Sequence, residues 1–447
     1  MYPPASPALR RPLAVALVVV LCLATALATA VATVTLTRSS AGSPGASAPA
    51  PAPAAAAPVT TVASAELATN AAYQQALAAA PPSGKPNVTV IGTGGTIAGV
   101  ATSRSSFTDY RAGQIPIADL VAKLQPEIGV VADVETIQFG NKGSGSYTVA
   151  EFHALTLAVD KALETSDGVV VTSGTDTMEE FAYWLDLTVR SRKPVVMTGA
   201  MRPTAAVSVD GPGVIGADGP ANLYNAIALA GSRATSCFGT VLMLGDEFHA
   251  ARDVTKTSSY RMDTFQTREL GVLGWIDGTN VKVGRAPSRV SMCNNPAKWV
   301  TPFDLTTLPA TDLPRTEIVY AYQQAGGEGI TALAAAGVKG IVTAGTGAGG
   351  VSADQSAART AAAAAGVLFV STTRTGSGSV YGSTAPPVVA GEDLLPQKAR
   401  LLLMLSLGFA KGDQAKAAAW VTSIGNPEWS TAGRVAANPA QAPAPAA

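Results

Sequence analysis

The pattern of hydrophobic and polar positions changes at Pro86. From that residue onward, short apolar and β-branched runs alternate with longer stretches that have helical spacing. The short runs are nearly continuous in apolar residues, which is typical of strands covered on both faces in a parallel sheet. The predicted strands are Asn87–Ile91, Gly168–Thr172, Pro194–Thr198, Gly239–Leu244, Glu317–Tyr322, Gly340–Thr343 and Val367–Ser371.

Stretches with helical periodicity lie between these strands. Pro396 opens the last of them, at a helix position where a backbone amide hydrogen is not needed. The predicted helices are Ile117–Leu124, Val149–Glu164, Met178–Thr188, Ala221–Ala230, Gly329–Ala335 and Pro396–Phe409. The alternation of strands and helices predicts an α/β fold with a doubly wound parallel sheet.

A stretch rich in Pro, Thr and Asp, Thr301–Leu313, separates two α/β runs and predicts an interdomain linker over residues 301–314. We therefore expect a larger N-terminal catalytic domain over residues 86–300 and a smaller C-terminal α/β domain over residues 315–435. The Pro/Ala-rich residues 37–85 and the tail 436–447 lack the apolar content of a folded segment, and we expect them to be a linker and a disordered tail.

The N-terminal segment has the pattern of an export signal. Arg10 and Arg11 precede an uncharged run, Pro12–Leu36, that ends in small residues. This predicts a signal peptide over residues 1–36. The run is also long enough to span a bilayer, so a retained anchor is the alternative. Either way we expect an exported protein that is secreted, periplasmic or anchored to the outer face of the cytoplasmic membrane.

Composition excludes several classes of protein. Lys plus Arg and Asp plus Glu both number 31, so the chain lacks the basic excess that attracts nucleic acid. Three cysteines and two histidines are too few for a disulfide framework or for a zinc site of the Cys/His kind. Outside the export segment, Cys237 and Cys293 either form a disulfide or are buried thiols, and their spacing does not decide between these.

Candidate chemistry first appears where the first strand ends, in the glycine-rich stretch Gly92–Gly99. Ligands of open parallel sheets bind at the carboxyl ends of strands, so Thr96 would be presented to a ligand there. A dinucleotide loop is the alternative, but these glycines fit the G-x-G-x-x-G spacing poorly. The stretch also lacks the Lys-Ser/Thr pair of a Walker loop.

A second hydroxyl and a carboxylate, Thr175 and Asp176, follow the strand Gly168–Thr172 and precede a helix. A helix N-terminus suits a substrate carboxylate, although Asp176 or Thr177 could simply cap that helix. Lys256 stands among threonines in a short turn. It could activate a hydroxyl if it is buried and deprotonated or paired, and the alternative is a solvated lysine.

The histidines argue against a Ser-His-Asp mechanism. His153 lies in an amphipathic helix pattern and is expected to be a surface or packing residue. His249 lies in a predicted loop and is expected to be structural or exposed. Acid–base catalysis would then depend on Lys, Asp, Tyr or hydroxyl groups, and such a site is consistent with a threonine nucleophile.

Six motifs together resemble those of the bacterial type II L-asparaginases, in the asparaginase/glutaminase family. They are TGGTIAG at 93–99, GTDTMEE at 174–180, KPVVMTGAMRP at 193–203, DGPANLYNA at 218–226, RDVTKT at 252–257 and PQKAR at 396–400. The resemblance extends over about residues 86 to 412 and implies the two-domain α/β fold described above. It also implies hydrolysis of L-asparagine to L-aspartate and ammonia without a metal or organic cofactor.

The resemblance implies a role for each matching residue. Thr96 resembles the primary nucleophile, and Tyr110, on a mobile loop after the first strand, resembles the tyrosine that helps to activate it. Thr175, Lys256 and Asp176 resemble a second catalytic group. The implied intermediate is a β-aspartyl enzyme that water hydrolyses.

Substrate binding is implied in the same way. Ser144 resembles the serine that binds the α-carboxylate, Asp176 would hold the α-amino group, and the carbonyl of Ala200 would accept from the side-chain amide. The full implied set is Ser144, Gly145, Gly174, Thr175, Asp176 and Ala200. The resemblance also implies a homotetramer built as a dimer of dimers, with each active site between the N-terminal domain of one subunit and the C-terminal domain of its partner.

Several positions depart from the family pattern. Gly145 and Ser146 replace a glutamine and an aspartate, Ala348 replaces an asparagine, and the glutamate partner of the tyrosine has no clear counterpart. Fewer polar ligands should weaken binding most for the longer glutamine, so we expect low glutaminase activity. Asp210–Ala217 resembles an insertion, to which the sequence assigns no role.

The sequence is also consistent with two other functions, a glutaminase-asparaginase of mixed specificity and an inactive binding protein. A mixed glutaminase-asparaginase would release ammonia from both amides, whereas an inactive protein that binds acidic amino acids would release none. An amidotransferase subunit acting on tRNA is also related, but the export segment and zero net charge argue against it.

Overall fold

A computed structural model describes residues 60–63, 71 and 84–425. The predicted export segment over residues 1–36 and the predicted tail over residues 436–447 lie outside the described residues. Among the residues that are described, no helix combines the length and the apolar character needed to cross a membrane.

Strands and helices alternate through most of the described chain. The strands are β1 Thr60–Ala63, β2 Asn87–Gly94, β3 Val100–Ala101, β4 Tyr110–Arg111, β5 Asp133–Lys142, β6 Gly168–Thr172, β7 Val195–Thr198, β8 Ala205–Ala206, β9 Thr240–Leu244, β10 Glu247–Ala250, β11 Thr255–Lys256, β12 Phe265–Gln266, β13 Gly274–Asp277, β14 Asn280–Val283, β15 Thr316–Tyr320, β16 Gly340–Gly345, β17 Leu368–Thr373 and β18 Val388–Ala390. The helices are α1 Ile117–Ala122, α2 Ile128–Val131, α3 Val149–Thr165, α4 Met178–Thr188, α5 Gly219–Ser232, α6 Pro296–Trp299, α7 Glu328–Ala335, α8 Ala353–Ala364, α9 Pro396–Ala410 and α10 Gln414–Gly425.

The larger sheet has the order β1-β14-β13-β10-β9-β7-β6-β2-β5. Its strands are parallel from β5 through β2, β6 and β7 to β9, with helices between them, which confirms the predicted parallel α/β arrangement. Every residue of β6 is buried, as the continuous apolar run predicts. Beyond β9 the sheet continues with β10, β13, β14 and β1, which the sequence does not predict, and β10 and β13 are antiparallel to their neighbours.

The change of direction follows from the connection between β9 and β10. Only Gly245 and Asp246 join them, and both have positive φ, 65° and 69°. Two residues with positive φ form the turn of a tight hairpin, whereas a parallel neighbour would need a much longer crossover. β10 must therefore run antiparallel to β9.

The smaller sheet, β15-β16-β17-β18, is parallel throughout. Helix α9 packs on it and also contacts α4 of the larger domain. One apolar core consequently contains residues from both sheets, among them Val171 and Leu242 from the larger one and Val342 and Val370 from the smaller one. The fold is thus a two-domain α/β arrangement in which the domains share buried surface.

Two segments predicted to be linkers are structured. Within the predicted linker 37–85, Thr60–Ala63 forms β1, which pairs in parallel with β14 at the edge of the sheet. Two threonines and a valine suit such an edge position, because β-branched residues favour extended backbone. Within the predicted interdomain linker, Phe303, Leu305 and Leu308 are buried. The domain boundaries 86–300 and 315–435 stay predictions.

Cys237 and Cys293 form a disulfide, with their Cα atoms 5.6 Å apart. Both lie in a small buried cluster with Trp299, whose indole nitrogen donates to the Cys237 carbonyl at 2.9 Å. Of the two alternatives that the sequence leaves open, the structure has the disulfide. It ties the segment that follows β14 to the turn that precedes β9.

The histidines are structural. His153 makes a hydrogen bond with the Leu308 carbonyl through Nε2 at 2.8 Å. The prediction of a loop at His249 is wrong, since this residue lies in β10, is 1% exposed and contacts the Thr267 hydroxyl through Nδ1 at 3.2 Å.

Acid lability between about pH 6.5 and pH 4 should follow from the burial of His249. Burial, together with the nearby cations Arg285 and Lys398, lowers the pKa of His249 to about 4, whereas the Glu247 carboxylate 3.9 Å away is exposed. The unfolded chain, with a pKa near 6.5 at this residue, therefore binds more protons in this range. We expect the free energy of unfolding to fall by up to about 3 kcal/mol as pH drops, with no contribution above pH 6.5.

Denaturant unfolding of the wild type and of His249→Asn across this pH range checks the expectation. The variant should lose part of the pH dependence, because it removes the ionisable ring while keeping a polar atom near Thr267. Equal pH slopes for the two proteins would contradict the account.

Candidate active site

Two hydroxyl-bearing turns meet at one edge of the larger sheet. Thr96 follows β2 and Thr175 follows β6, and these strands are parallel neighbours in which Gly92 pairs with Thr172. The carboxyl ends of parallel neighbours lie side by side, which brings the two turns together. Both threonines are buried, at 5% and 4% exposure.

Glycine makes this close approach possible. Gly94 and Gly95 have φ of 101° and 83°, values that favour glycine. A Cβ atom on Gly95 would lie 2.2 Å from the backbone nitrogen of Gly174. The amide of Gly95 also donates to the Lys142 carbonyl at 3.1 Å. The backbone after β2 is therefore held directly against the backbone after β6.

Thr96 has a tyrosine as its hydroxyl partner. It begins a single 3-10 turn, Thr96–Ala98, and its Oγ1 lies 2.7 Å from the hydroxyl of Tyr110. Tyr110 lies in β4, which pairs antiparallel with β3, so that Tyr110 stands opposite Ala101. The short antiparallel pair of β3 and β4 thus places the hydroxyl of Tyr110 within hydrogen-bond distance of Thr96.

Thr175 has a lysine as its partner. Lys256, in β11, donates through Nζ to Thr175 Oγ1 at 2.9 Å and to Asp176 Oδ1 at 2.7 Å. The Lys256 side chain is 13% exposed and that of Asp176 is 84% exposed. Lys256 is therefore not a solvated lysine. The capping alternative also fails, since Thr177, at the N-cap of α4, makes no side-chain capping bond.

A second, fully buried lysine supports the turn that leads to Lys256. Lys398, in α9, donates through Nζ to the carbonyls of Ala251, Arg252 and Val254. Burial lowers the pKa of Lys398 to about 8. Lys398 belongs to the PQKAR motif, to which the sequence assigns no separate role.

Ala200 lies in a third turn, after β7, and is fully buried. The carboxylate of Asp218 accepts from the amides of Met201 and Arg202, and Asn222 donates to the Gly199 carbonyl at 3.0 Å. Burial raises the pKa of Asp218. Asp218 and Asn222 both belong to the DGPANLYNA motif, which marks them in the sequence without revealing that they hold this turn.

The remaining predicted binding residues lie close to the second turn. Ser144 is 4% exposed, and its hydroxyl accepts from the amide of Thr177 at 3.2 Å. Gly174 packs against it, since a Cβ atom there would lie 3.0 Å from the Ser144 nitrogen. Gly145 faces open space, with no atom within 4 Å of an added Cβ.

A cavity of about 470 Å³ opens over both threonines. It is lined by Thr96, Phe107, Thr108, Tyr110, Thr175, Asp176, Met201, Lys256, Thr257, Ser258, Ser259 and Tyr260. The five predicted catalytic residues all line it, whereas Ser144, Gly145, Gly174 and Ala200 do not. One wall runs from Thr257, the last residue of the RDVTKT motif, to Tyr260, and the sequence does not indicate it.

The lining comes from the N-terminal part of the chain, and the described residues contain no candidate metal site. Every lining residue precedes residue 261, so within the described chain the C-terminal domain contributes none. The described residues also contain no group of three or more His, Cys, Asp or Glu side chains that could hold a metal ion.

The arrangement is suited to attack by a hydroxyl on an activated carbonyl. Each of two buried hydroxyl groups contacts a group that can exchange a proton with it, Tyr110 for Thr96 and Lys256 for Thr175. The exposed carboxylate of Asp176 adds a negative charge that can hold an ammonium group of a ligand.

Two family models match the chain. The model described as "Asparaginase, N-terminal" matches residues 87–289, and "Glutaminase/Asparaginase C-terminal domain" matches residues 315–420. Together they cover more than half of the chain.

Named relatives are similar over most of their length. The chain is 38% identical to the "Probable L-asparaginase periplasmic" of Haemophilus influenzae over 72% of this chain and 88% of that protein. It is 37% identical to "L-asparaginase 2" of Escherichia coli over 74% of this chain and 91% of that protein. A solved structure, the "Probable Cytoplasmic L-asparaginase from Campylobacter jejuni", is 37% identical with a TM-score of 0.69, covering 76% of this chain and 99% of that one.

Gly95→Ala should destabilise the fold strongly, and Gly145→Ala should not. The new Cβ of Gly95→Ala would overlap the Gly174 backbone at a φ that alanine disfavours, so we expect a loss of about 3 kcal/mol or more. Gly145→Ala is the matched control and should stay within about 0.5 kcal/mol of wild type. Denaturant unfolding measures both, and a Gly95→Ala protein as stable as the control would refute the close contact.

Proposed function

This chain belongs to the asparaginase family, and we propose that it hydrolyses the side-chain amide of L-asparagine with Thr96 as the nucleophile. The products are L-aspartate and ammonia. The observation that carries the proposal is the pair of buried threonines, each bonded to a proton-exchanging group, on one cavity. The relatives named L-asparaginase support the same reaction.

In the first step, Thr96 Oγ1 attacks the amide carbon of asparagine. The threonine proton passes to Tyr110, 2.7 Å away, and from there to the leaving nitrogen, so that the C–N bond breaks and ammonia departs. A β-aspartyl ester on Thr96 remains. Backbone amides near Thr96 and Thr175 stabilise the negative charge on the carbonyl oxygen.

In the second step, water attacks the ester carbon. Thr175, whose Oγ1 accepts from Lys256 Nζ at 2.9 Å, orients this water. The water oxygen bonds to the ester carbon, the bond from that carbon to Thr96 Oγ1 breaks, and the water proton passes through Tyr110 to Thr96 Oγ1 as aspartate leaves. The assignment of Thr96 rather than Thr175 to the first attack follows the family resemblance.

The proposed partners of the substrate's charged groups lie on the second turn and close to it. Asp176, with its exposed carboxylate, holds the α-amino group. Ser144 and the N-terminal end of α4 receive the α-carboxylate, with the backbones of Gly145 and Gly174 beside them. The carbonyl of Ala200 accepts from the side-chain amide.

The origin of the lining residues supports an assembly of subunits. Since the C-terminal domain contributes none of the lining, the C-terminal domain of a partner subunit would complete the site. This fits a homotetramer built as a dimer of dimers. The boundaries 86–300 and 315–435 describe the two contributing domains, and the separate family-model matches support them.

We also propose that the protein is exported. The uncharged run Pro12–Leu36 after Arg10 and Arg11 is the basis of this proposal. A relative from Haemophilus influenzae is named periplasmic, whereas the Campylobacter jejuni structure is named cytoplasmic. Signal peptide and retained anchor are the two forms that the segment could take.

Thr96→Ala should lower kcat for asparagine by roughly 10³-fold or more, because it removes the attacking oxygen. Ammonia release from asparagine measures it. Thr360→Ala, at an exposed position of α8, is the control and should keep wild-type turnover. A Thr96→Ala protein that retains turnover would show that another group is the nucleophile.

Glutamine should be a poor substrate. Gly145 and Ala348 lack the polar side chains that the family pattern has at these positions, and the longer substrate depends most on such contacts. We expect kcat/KM for glutamine to be roughly 10²-fold below that for asparagine or lower. Gly145→Gln should raise the glutamine value. Equal values for the two amides in the wild type would favour a mixed glutaminase-asparaginase instead.

A further inference from the structure

The loop that carries Tyr110 has little support of its own. Between β3 and β4, residues 102–109 are exposed except for the half-buried Ser106. Loops with so few buried contacts open readily unless another element holds them. The position of Tyr110 over Thr96 therefore depends on what lies against this loop.

The predicted insertion lies against it. Residues 207–217, called here the brace segment, include the stretch Asp210–Ala217. The amide of Ile215 donates to the Arg104 carbonyl at 2.9 Å, and Arg104 Nε donates back to the Gly213 carbonyl at 3.1 Å. The amide of Val207 donates to the Ala101 carbonyl at 2.8 Å. The brace segment is thus bonded to β3 and to the loop that follows it.

A single buried side chain anchors the brace segment. From residue 207 to residue 216, Val214 alone is buried, at 4% exposure. It forms an apolar cluster with Ala101 and Ala206, against which Tyr110 and Ala217 pack. The buried anchor of the brace segment, Val214, therefore belongs to the cluster against which the Tyr110 side chain packs.

Arg202 connects three parts of the site. Its backbone amide is held by Asp218, in the turn that contains Ala200. Its guanidinium lies over the ring of Phe107 at 4.7 Å, and its Nη1 donates to the Gly216 carbonyl at 3.1 Å. One side chain thereby joins the Ala200 turn, the Tyr110 loop and the brace segment.

The backbone of the brace segment is strained where it begins. Val207 has a φ of 72°, in a region that β-branched residues avoid. Such strain persists only where surrounding contacts enforce it, here the parallel pairing of β8 with β3 and the bond from Val207 to Ala101. The shape of this turn is imposed by the same strand that carries the tyrosine loop.

We propose that the brace segment holds Tyr110 in reach of Thr96, with Val214 and Arg202 as positioning residues for proton transfer. The proposal rests on the proposed function of Tyr110. A tyrosine that is already held needs no ordering of its loop when substrate binds. Loosening the brace segment at Val214 should lower kcat, because proton transfer requires hydrogen-bond distance. It should leave KM nearly unchanged, because the cluster around Val214 contains none of the proposed substrate-binding residues.

A double-mutant cycle tests whether Val214 acts through Tyr110. Val214→Ala should lower kcat for asparagine roughly fivefold, with KM within about twofold of wild type. In a Tyr110→Phe background the same change should have no further effect, because the group being positioned is gone. If the two substitutions lower kcat independently, so that the double variant loses the product of both factors, the proposal is wrong.

Val209→Ala is the matched control. It removes the same atoms from the same segment, but Val209 is exposed and should keep wild-type kcat. Arg202→Gln is the second variant should Val214→Ala fail to fold, and it should show the same dependence on Tyr110. A loss of kcat in Val209→Ala equal to that in Val214→Ala would also overturn the proposal.

Limited trypsin digestion separates failure of the brace from failure of the proposed function. Arg104 is a trypsin site inside the loop. Cleavage there should be faster in Val214→Ala than in wild type or Val209→Ala, whether or not the protein hydrolyses asparagine. Equal cleavage rates in all three proteins would show that Val214 does not hold the loop.

Discussion

The contact between the backbone turns at Gly95 and Gly174 is the constraint around which the site is built. Two parallel strands end side by side, and the absence of side chains at both glycines lets their turns touch. This contact places Thr96 and Thr175 on one cavity. The partners of each threonine then arrive from elsewhere in the chain, Tyr110 from a short strand pair and Lys256 from a hairpin.

Polar side chains that are not proposed to react hold the backbone around the site. Lys398 is fully buried and holds three carbonyls of the segment before Lys256, and Asp218 with Asn222 holds the turn of Ala200. Buried polar groups with fixed partners are rigid, because releasing them would leave unpaired charge or backbone in the interior. Asp176, in contrast, keeps an exposed carboxylate. The interior thus fixes the backbone, and the exposed carboxylate remains available to a ligand.

Much of the fold could be predicted from hydrophobic pattern. Continuous apolar runs located β6 and the other central strands, and helical spacing located α4 with its ends. The missed elements lack such a signal. β5 is an edge strand with mostly exposed residues, and α8 is rich in alanine with few buried positions. The direction of β10 depends on a two-residue turn rather than on any pattern within the strand.

The site was predictable only in part, for a related reason. Glycine-rich and threonine-rich strand ends marked Thr96 and Thr175, and motif resemblance pointed to Tyr110 and Lys256. The contacts of Lys398 with the segment before Lys256 span 144 to 147 residues, and no local pattern reveals them. The sequence predicts an insertion at Asp210–Ala217, but the contact of this stretch with the tyrosine loop depends on tertiary packing around Val214.

Thr96 should carry the covalent intermediate. An asparagine analogue with an electrophilic carbon in place of the side-chain amide would label the attacking residue, which tryptic digestion and mass spectrometry then identify. Thr96 lies in the tryptic peptide that ends at Arg104, and Thr175 lies in the separate peptide 162–190. One label per chain is expected, on Thr96. A label on Thr175, or none on a folded protein that hydrolyses asparagine, would contradict this expectation.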